Sequence, residues 1–441
     1  MTASNYRITI IDSIEQISKE RWQYLAKESG PFVSYEFLHA LERSGSCSNE
    51  SGWQPCHIAI AKGQHEAANL VIPGYLKTHS YGEYVFDHAW ANAYAQHGLD
   101  YYPKWISAIP FTPVTGSRLL SDGHIALTPS LLSELENTLT AYVESVFGKA
   151  LSSFHWLFPN ESTSAQLIGK GEPEASALAA DLPNDQFKVQ PSIPNHYLTR
   201  YAVQFQWHNY GYGDFDDFLN ALTSRKRKDI KKSRRKLNEQ GVRFTHHTGN
   251  EISPEILQFF TKCYKATYLK RSGHVGYLND AFFEQLVESM SDNMLIVTAI
   301  ENEVAVASAL FFYDETGLYG RYWGALKEID GLHFACCYFE GIEFAIEKKL
   351  SLFNPGTQGE HKILRGFEPI YCRSHHKLQH PSFHTAVADF LQRETPHIAS
   401  YFNQARNALP FNKEFVPTLK TTSVTAPNDD TYNHNEKNDE I

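Results

Sequence analysis

The segment Met294–Ile329, "MLIVTAIENEVAVASALFFYDETGLYGRYWGALKEI", decides how the chain is read. It opens on an apolar run, breaks at Glu301-Asn302-Glu303, resumes as a longer apolar run, breaks again, and ends on the aromatic run "LYGRYWG". Short apolar runs parted by polar turns predict neighbouring strands. An earlier segment, Cys56–Ala91, "CHIAIAKGQHEAANLVIPGYLKTHSYGEYVFDHAWA", aligns to it without a gap. His57 meets Leu295, and Tyr81-Gly82-Glu83-Tyr84 meets Tyr319-Gly320-Arg321-Tyr322; beyond Tyr84 the match fades. Each copy therefore predicts strand, turn, strand, turn and aromatic strand, followed by a helix. In the second copy that helix is "LHFACCYFEGIEFAIEKK", apolar at Phe334, Cys337/Tyr338, Ile342 and Ala345/Ile346. A short strand then follows in each half, within "SAIPFTPVTG" and "SLFNPGTQG".

The expected fold is α/β with mixed sheets, in two related domains produced by duplication: residues 1–200 and 201–405. Gly171–His196, with four prolines and no period, reads as an inserted loop in the first. Residues 417–441 are polar and nearly free of large aliphatics, which predicts a disordered tail.

Apolar residues make up 42% of the 441-residue chain, enough to build substantial cores. No basic-then-apolar leader opens the chain and no apolar run approaches a membrane span. The six cysteines have neither disulfide-framework nor zinc spacing, so a reduced, cytoplasmic protein without a metal site is expected. A formal charge of −10 argues against indiscriminate coating of nucleic acid.

Against that balance, Ser224–Gly241, "SRKRKDIKKSRRKLNEQG", is densely basic. Ser224 can cap a helix there, Ile230, Ser233 and Leu237 form its inward stripe, and Gly241 ends it. Arg225, Lys226, Arg227 and Lys228 crowd the end where the helix dipole is positive, a placement unfavourable unless an anion arrives. The alternatives are a solvated face and a nucleic-acid helix, the latter disfavoured by the absence of interleaved aromatics.

A tandem α/β pattern with a basic helix opening its second copy resembles the Fem-type aminoacyl transferases, which are built from two domains of the GNAT fold. "HSYGEYVFDHAWANAY", "YYPKWISAIPFTPVTGSRLL", "QFQWHNYGYGDFDDFLNALTSRKRKDIKKSRRK", "LYGRYWG" and "NPGTQGEHKILRGFEP" carry a closer resemblance. They resemble the FemAB-like branch labelled peptidoglycan biosynthesis/recognition, over most of residues 30–400. The resemblance implies transfer of an acyl or aminoacyl group to an amine of a phosphate-bearing acceptor such as a peptidoglycan precursor. Aminoacyl-tRNA is the donor it implies. Acyl-CoA is the other candidate, although the pyrophosphate-cradling turn of coenzyme A-dependent GNAT enzymes is missing from "KEIDGLHFACC" and "ANAYAQHGLDYYP". A non-catalytic recognition module and a conventional N-acetyltransferase remain alternatives, and no cofactor is firmly implied.

Aminolysis needs a route for the amine proton and a partner for the oxyanion. Glu360 and His361 are the candidates for the proton, and Lys362 and Arg365 for a substrate anion. Lys226, Arg227 and Arg234 are expected to hold phosphate, while Arg321, Trp323 and Arg118 are further binding candidates. A contact between Glu83 and Arg321, which align in the two copies, is a further possibility.

Overall fold

The computed structural model describes residues 6–63, 67–168, 196–357 and 359–415. The loop read over Gly171–His196 falls outside these residues except at His196, and the tail at 417–441 falls outside them entirely. The first half contributes β1 (Tyr6–Ile11), β2 (Trp53–Pro55), β3 (His57–Lys62), β4 (Leu70–Ile72), β5 (Tyr75–Lys77), β6 (Lys104–Ser107), β7 (Leu120–Ser121) and β8 (Ser153–Leu157). The second contributes β9 (Leu198–His208), β10 (Val242–Thr248), β11 (Met294–Glu301), β12 (Val304–Tyr313), β13 (Gly317–Ala325), β14 (Leu352–Asn354) and β15 (Glu368–Leu378). Among the described residues these form a four-stranded sheet, β1-β3-β4-β7, and an eleven-stranded sheet, β10-β11-β12-β13-β14-β9-β15-β8-β6-β5-β2. Parallel pairs (β13–β14, β6–β8) sit among antiparallel ones, so the sheets are mixed.

The repeat survives in the register. In the first copy Ile58 pairs with Ile72, Ala59 with Val71 and Ile60 with Leu70. The aligned residues of the second copy pair in the same way: Ile296 with Leu310, Val297 with Ala309, Thr298 with Ser308. A one-residue slip would turn every apolar side chain of such a strand to the wrong face, so shared register signifies shared packing. The copies diverge at Pro73-Gly74. There β4 ends and β5 leaves for the other sheet, and a Cβ added to Gly74 would lie 2.5 Å from the Trp105 ring. In the second copy β12 runs unbroken and supports β13 along its length. The first-copy aromatic run, expected as a strand, therefore has no such partner and forms a turn at Tyr81–Gly82 and bends over Glu83–Val85 instead.

Two features place the site. β13 and β14 pair only at Gly317–Leu352, Leu318–Phe353 and Tyr319–Asn354. Beyond that point β13 runs on to Ala325 while the chain after β14 turns away at Pro355, so a wedge opens between them. In addition, β12 Leu310 faces Tyr322 and Phe311 faces Gly320, which leaves Arg321 as the extra residue of a β-bulge. Bulges re-aim side chains out of strict alternation.

The halves share a core. Phe32 packs edge-on against Phe312 and Tyr319, each at 5.3 Å between ring centres, and Phe37 against Phe282 at 5.7 Å. Fully burying each such ring contributes about 1.5–3 kcal/mol, which holds the walls of the wedge against each other. They also share a strand: β15 lies between β9 and β8 and pairs with both, from Ser374–Leu157 to Leu378–Ser153 on the β8 side. The boundary read at residue 200 falls inside β9.

Candidate active site

Between the halves, at the wedge, lies a cleft of about 710 Å³. The first-half segment Ser80–Tyr84, the end of the helix Pro254–Ser272, β13, and the loop Pro355–Lys362 contribute its walls. So does a helix that runs as α over Leu332–Phe334, as a π turn over Ala335–Phe339, and as α again over Glu340–Glu347.

Four residues expected from the sequence meet here: Arg321, Trp323, His361 and Lys362. Lys362 is buried, 1% exposed, and its Nζ donates to the Gly356 carbonyl at 2.5 Å. Burial, helped by the Arg321 charge, pulls its ammonium down to about 7. The His361 ring bonds Tyr338 Oη through Nε2 at 2.8 Å, and burial with the charges of Arg365 and Lys362 lowers its pKa. Gly359 makes this turn feasible: its φ is +113°, and a Cβ there would lie 2.2 Å from His361 Cε1. Arg321 reaches across to the first half, where Nη2 donates to Phe111 O at 2.7 Å. That contact replaces the Glu83 partner considered from sequence, because Glu83 is bonded to Lys104 instead, at 2.8 Å.

Arg271, His333 and Tyr338 also line the cleft, though the sequence reading placed none of them in a site. Tyr338 and its neighbour Cys337 were read as part of a core stripe, yet both line the cleft. The π turn adds a residue to one helical turn and rotates the faces that a 3.6-residue period would assign. Burial lowers the His333 pKa to about 4, with the charges of His361, Arg271, Arg365 and Lys362 adding to it. Arg271, at the end of a helix that the repeat does not contain, left no signal.

The other expected residues are occupied elsewhere. Arg118 is fully buried and donates to the carbonyls of Leu157, Ser117 and Val114 at 2.9, 3.1 and 2.9 Å, so it is a strut and not a ligand clamp. Arg227 donates to the carbonyls of Leu219, Asn220 and Leu222, closing the end of the helix Phe215–Ala221. Arg234 forks onto Glu343 at 2.9 and 2.8 Å and lies over the Phe215 ring. Lys226, half-buried, does not line the cleft. The basic helix spans Ser224–Glu239, with Thr223 rather than Ser224 at its N-cap. Glu360 is exposed and bonds Tyr401, and Arg365 donates to the His361 carbonyl while stacking 3.3 Å over the Phe334 ring. An Arg227→Ala variant should lose about 1–2 kcal/mol in a urea melt. Its KM for the acceptor should match that of wild type; a large rise would return the basic helix to the site.

Beneath the first-half wall lies a buried charge cluster. Lys104 Nζ meets Glu83 at 2.8 Å, Asp87 at 2.5 Å and the Ser80 hydroxyl at 2.9 Å. Burial drives Glu83 up to about 7. Burial also disfavours the Asp87 anion, but Lys104, with smaller help from His155 and Ser80, holds that carboxyl well below its ordinary range. The cluster anchors the segment that carries Ser80, Tyr81, Gly82 and Tyr84 into the cleft wall.

Among the described residues no group of three or more His, Cys, Asp or Glu is placed to hold a metal ion, and no helix is long and apolar enough to cross a membrane.

A mixed-sheet α/β chain of two related halves, with a wedge opening beside a bulged strand, is the architecture these elements define. The chain belongs to the FemAB-like family of peptidoglycan biosynthesis/recognition, whose model matches residues 13–413. No curated protein matches the sequence. Among solved structures it is similar to FemX, at 10% identity over 86% of this chain and 100% of that one, with a TM-score of 0.46. It is also similar to L-PGS from Bacillus licheniformis, at 11% identity over 85% and 98%, with a TM-score of 0.45. A tandem GNAT protein from the clavulanic acid biosynthesis pathway matches at 9% identity over 85% and 99%, with a TM-score of 0.42. These likenesses are too distant to carry an argument about chemistry.

Proposed function

We propose that the chain is an acyl- or aminoacyltransferase that acylates an amine of an anionic, peptidoglycan-type acceptor in the wedge beside β13. One observation carries this reading. Among the described residues, those lining the cleft include Arg271, Arg321 and Lys362 with His88, His333 and His361, and not one carboxylate. A cavity of that sign attracts phosphate or carboxylate and repels free cations. It also favours the uncharged form of an amine brought into it.

The reaction needs little else from the protein. The acceptor's neutral nitrogen attacks the carbonyl carbon of an activated ester or thioester, forming the C–N bond. The tetrahedral oxyanion then collapses with loss of the alcohol or thiol. Lys362, whose amine is close to half-protonated at neutral pH, takes the ammonium proton and returns it to the leaving group. His361, held by Tyr338, lines the same cleft beside it. The oxyanion sits beside Arg321 in a site partly closed to water, where such a charge is worth more than in solvent.

The test is to incubate the purified chain with a nucleotide-linked muropeptide and, separately, aminoacyl-tRNA and acyl-CoA donors. The acceptor's mass should rise by one acyl group with one of them. No increase with any donor, alongside retained muropeptide binding, would leave a recognition module in place of an enzyme. Arg321→Met should lower kcat by about 10- to 100-fold, the loss expected for a charge-assisted bond made to the oxyanion. Unchanged kcat would remove Arg321 from that role.

A further inference from the structure

A second cavity, of about 200 Å³, lies behind the wall that carries Tyr84 and Phe86. Tyr84, Phe86 and Thr357 line both it and the cleft, so these side chains form a septum with a cavity on each side. Tyr84 holds this place with a φ of +58°, a backbone conformation that is costly for a tyrosine and concentrates at functional sites.

Resting on the transferase reading above, we infer that this smaller cavity is a subsite for the carboxylate end of a short peptide. The acceptor's reacting amine then lies across the septum in the cleft. Charge is the first argument. The cavity is lined by Arg200, Arg373 and Glu394. Arg200 and Glu394 cancel in a two-pronged pair at 2.8 and 2.7 Å. Arg373 remains, itself buried, and Glu161, its ion-pair partner at 2.7 Å, is 56% exposed and therefore well screened. A buried guanidinium whose only described counter-charge is that exposed keeps donors for a second, better buried carboxylate. Hydrogen bonding is the second argument. Gln204, 2% exposed, donates Nε2 to Pro113 O at 3.1 Å, which fixes its amide and leaves the buried Oε1 without a partner. A peptide N–H supplies the donor that this oxygen lacks. Phe158, Val203 and Ile398 complete an apolar lining of a size for small side chains.

The direct test is titration of the full chain with N-acetyl-dialanine, in L,L and D,D forms, beside the C-terminal amide of each. At least one free acid should bind saturably below about 10 mM. Amidation should weaken it about tenfold, and so should Arg373→Gln. Because Arg373 is buried, a second variant is needed: Ala202→Trp fills the cavity from an exposed position, so it leaves the fold intact and should abolish binding. Absence of saturable binding by both acids, or affinity indifferent to amidation and to Ala202→Trp, overturns the subsite. The measurement uses no donor and no turnover. Transfer with no peptide binding therefore strikes the subsite alone, and peptide binding with no transfer from any donor strikes the transferase reading alone.

Discussion

Replacing Lys362 with methionine should make the protein more stable at pH 6 while lowering transfer by about 10²- to 10⁴-fold. The two effects share one cause. A lysine held near 7 in the folded chain and near 10.5 in the unfolded one is a buried ammonium kept under strain. That gap corresponds to about 5 kcal/mol, an upper bound. The bond from Nζ to the Gly356 carbonyl offsets part of it, so about 2–4 kcal/mol should be gained on substitution. Between the two pKa values the unfolded chain binds more protons than the folded one. Wild-type stability therefore rises with pH from about 7 towards 10.5, and the variant's advantage shrinks over the same range. In wild type the transfer rate should climb through about pH 7 as the amine becomes free to accept a proton. Urea melts at pH 6 and pH 9.5 beside rate measurements check both; a variant less stable than wild type at pH 6 would refute the account.

Lys104→Met should do the opposite, costing about 3–5 kcal/mol at pH 7 because Glu83 and Asp87 lose the cation that bonds both. In that variant burial outweighs the smaller help left to Glu83 from Lys77 and to Asp87 from His155 and Ser80, and both carboxyls rise above their unfolded values. The folded form then binds more protons, so the deficit should shrink as pH falls toward about 4–5. Adding Glu83→Gln and Asp87→Asn should restore part of the loss at neutral pH. Melts of the single and triple variants at pH 7 and pH 5 decide it, and a deficit independent of pH would mean that lost packing rather than stranded charge is responsible. Because the cluster anchors the cleft wall, the triple variant also reports whether its charges matter to transfer or only to folding.

Local pattern was readable where the physics is local. Alternation and turn residues gave the first hairpin of each copy, and the aligned residues Ile58 and Ile296 stand at matching places in the two registers. The run Gly359–Arg365 pointed to His361 and Lys362 because a carboxylate, an imidazole and two cations close together seldom lack a purpose. What failed was long-range. Arg118, Arg227 and Arg234 looked free to bind a ligand, but carbonyls and a carboxylate supplied by other segments claim them. Glu360 lies one residue from His361 and faces away, since a tight turn sends successive side chains in different directions. Tyr338 and Cys337 required knowledge of a π turn that no periodicity announces. The family resemblance did what periodicity could not, assigning the chain as a whole.

The place of β15 bears on how the chain is made. The edge of β8 is covered by a strand that starts at Glu368, more than two hundred residues later. During synthesis the N-terminal half must therefore wait on the ribosome with an uncovered, apolar strand edge until β15 has emerged. Premature termination before that point would release a product prone to sticking to its neighbours.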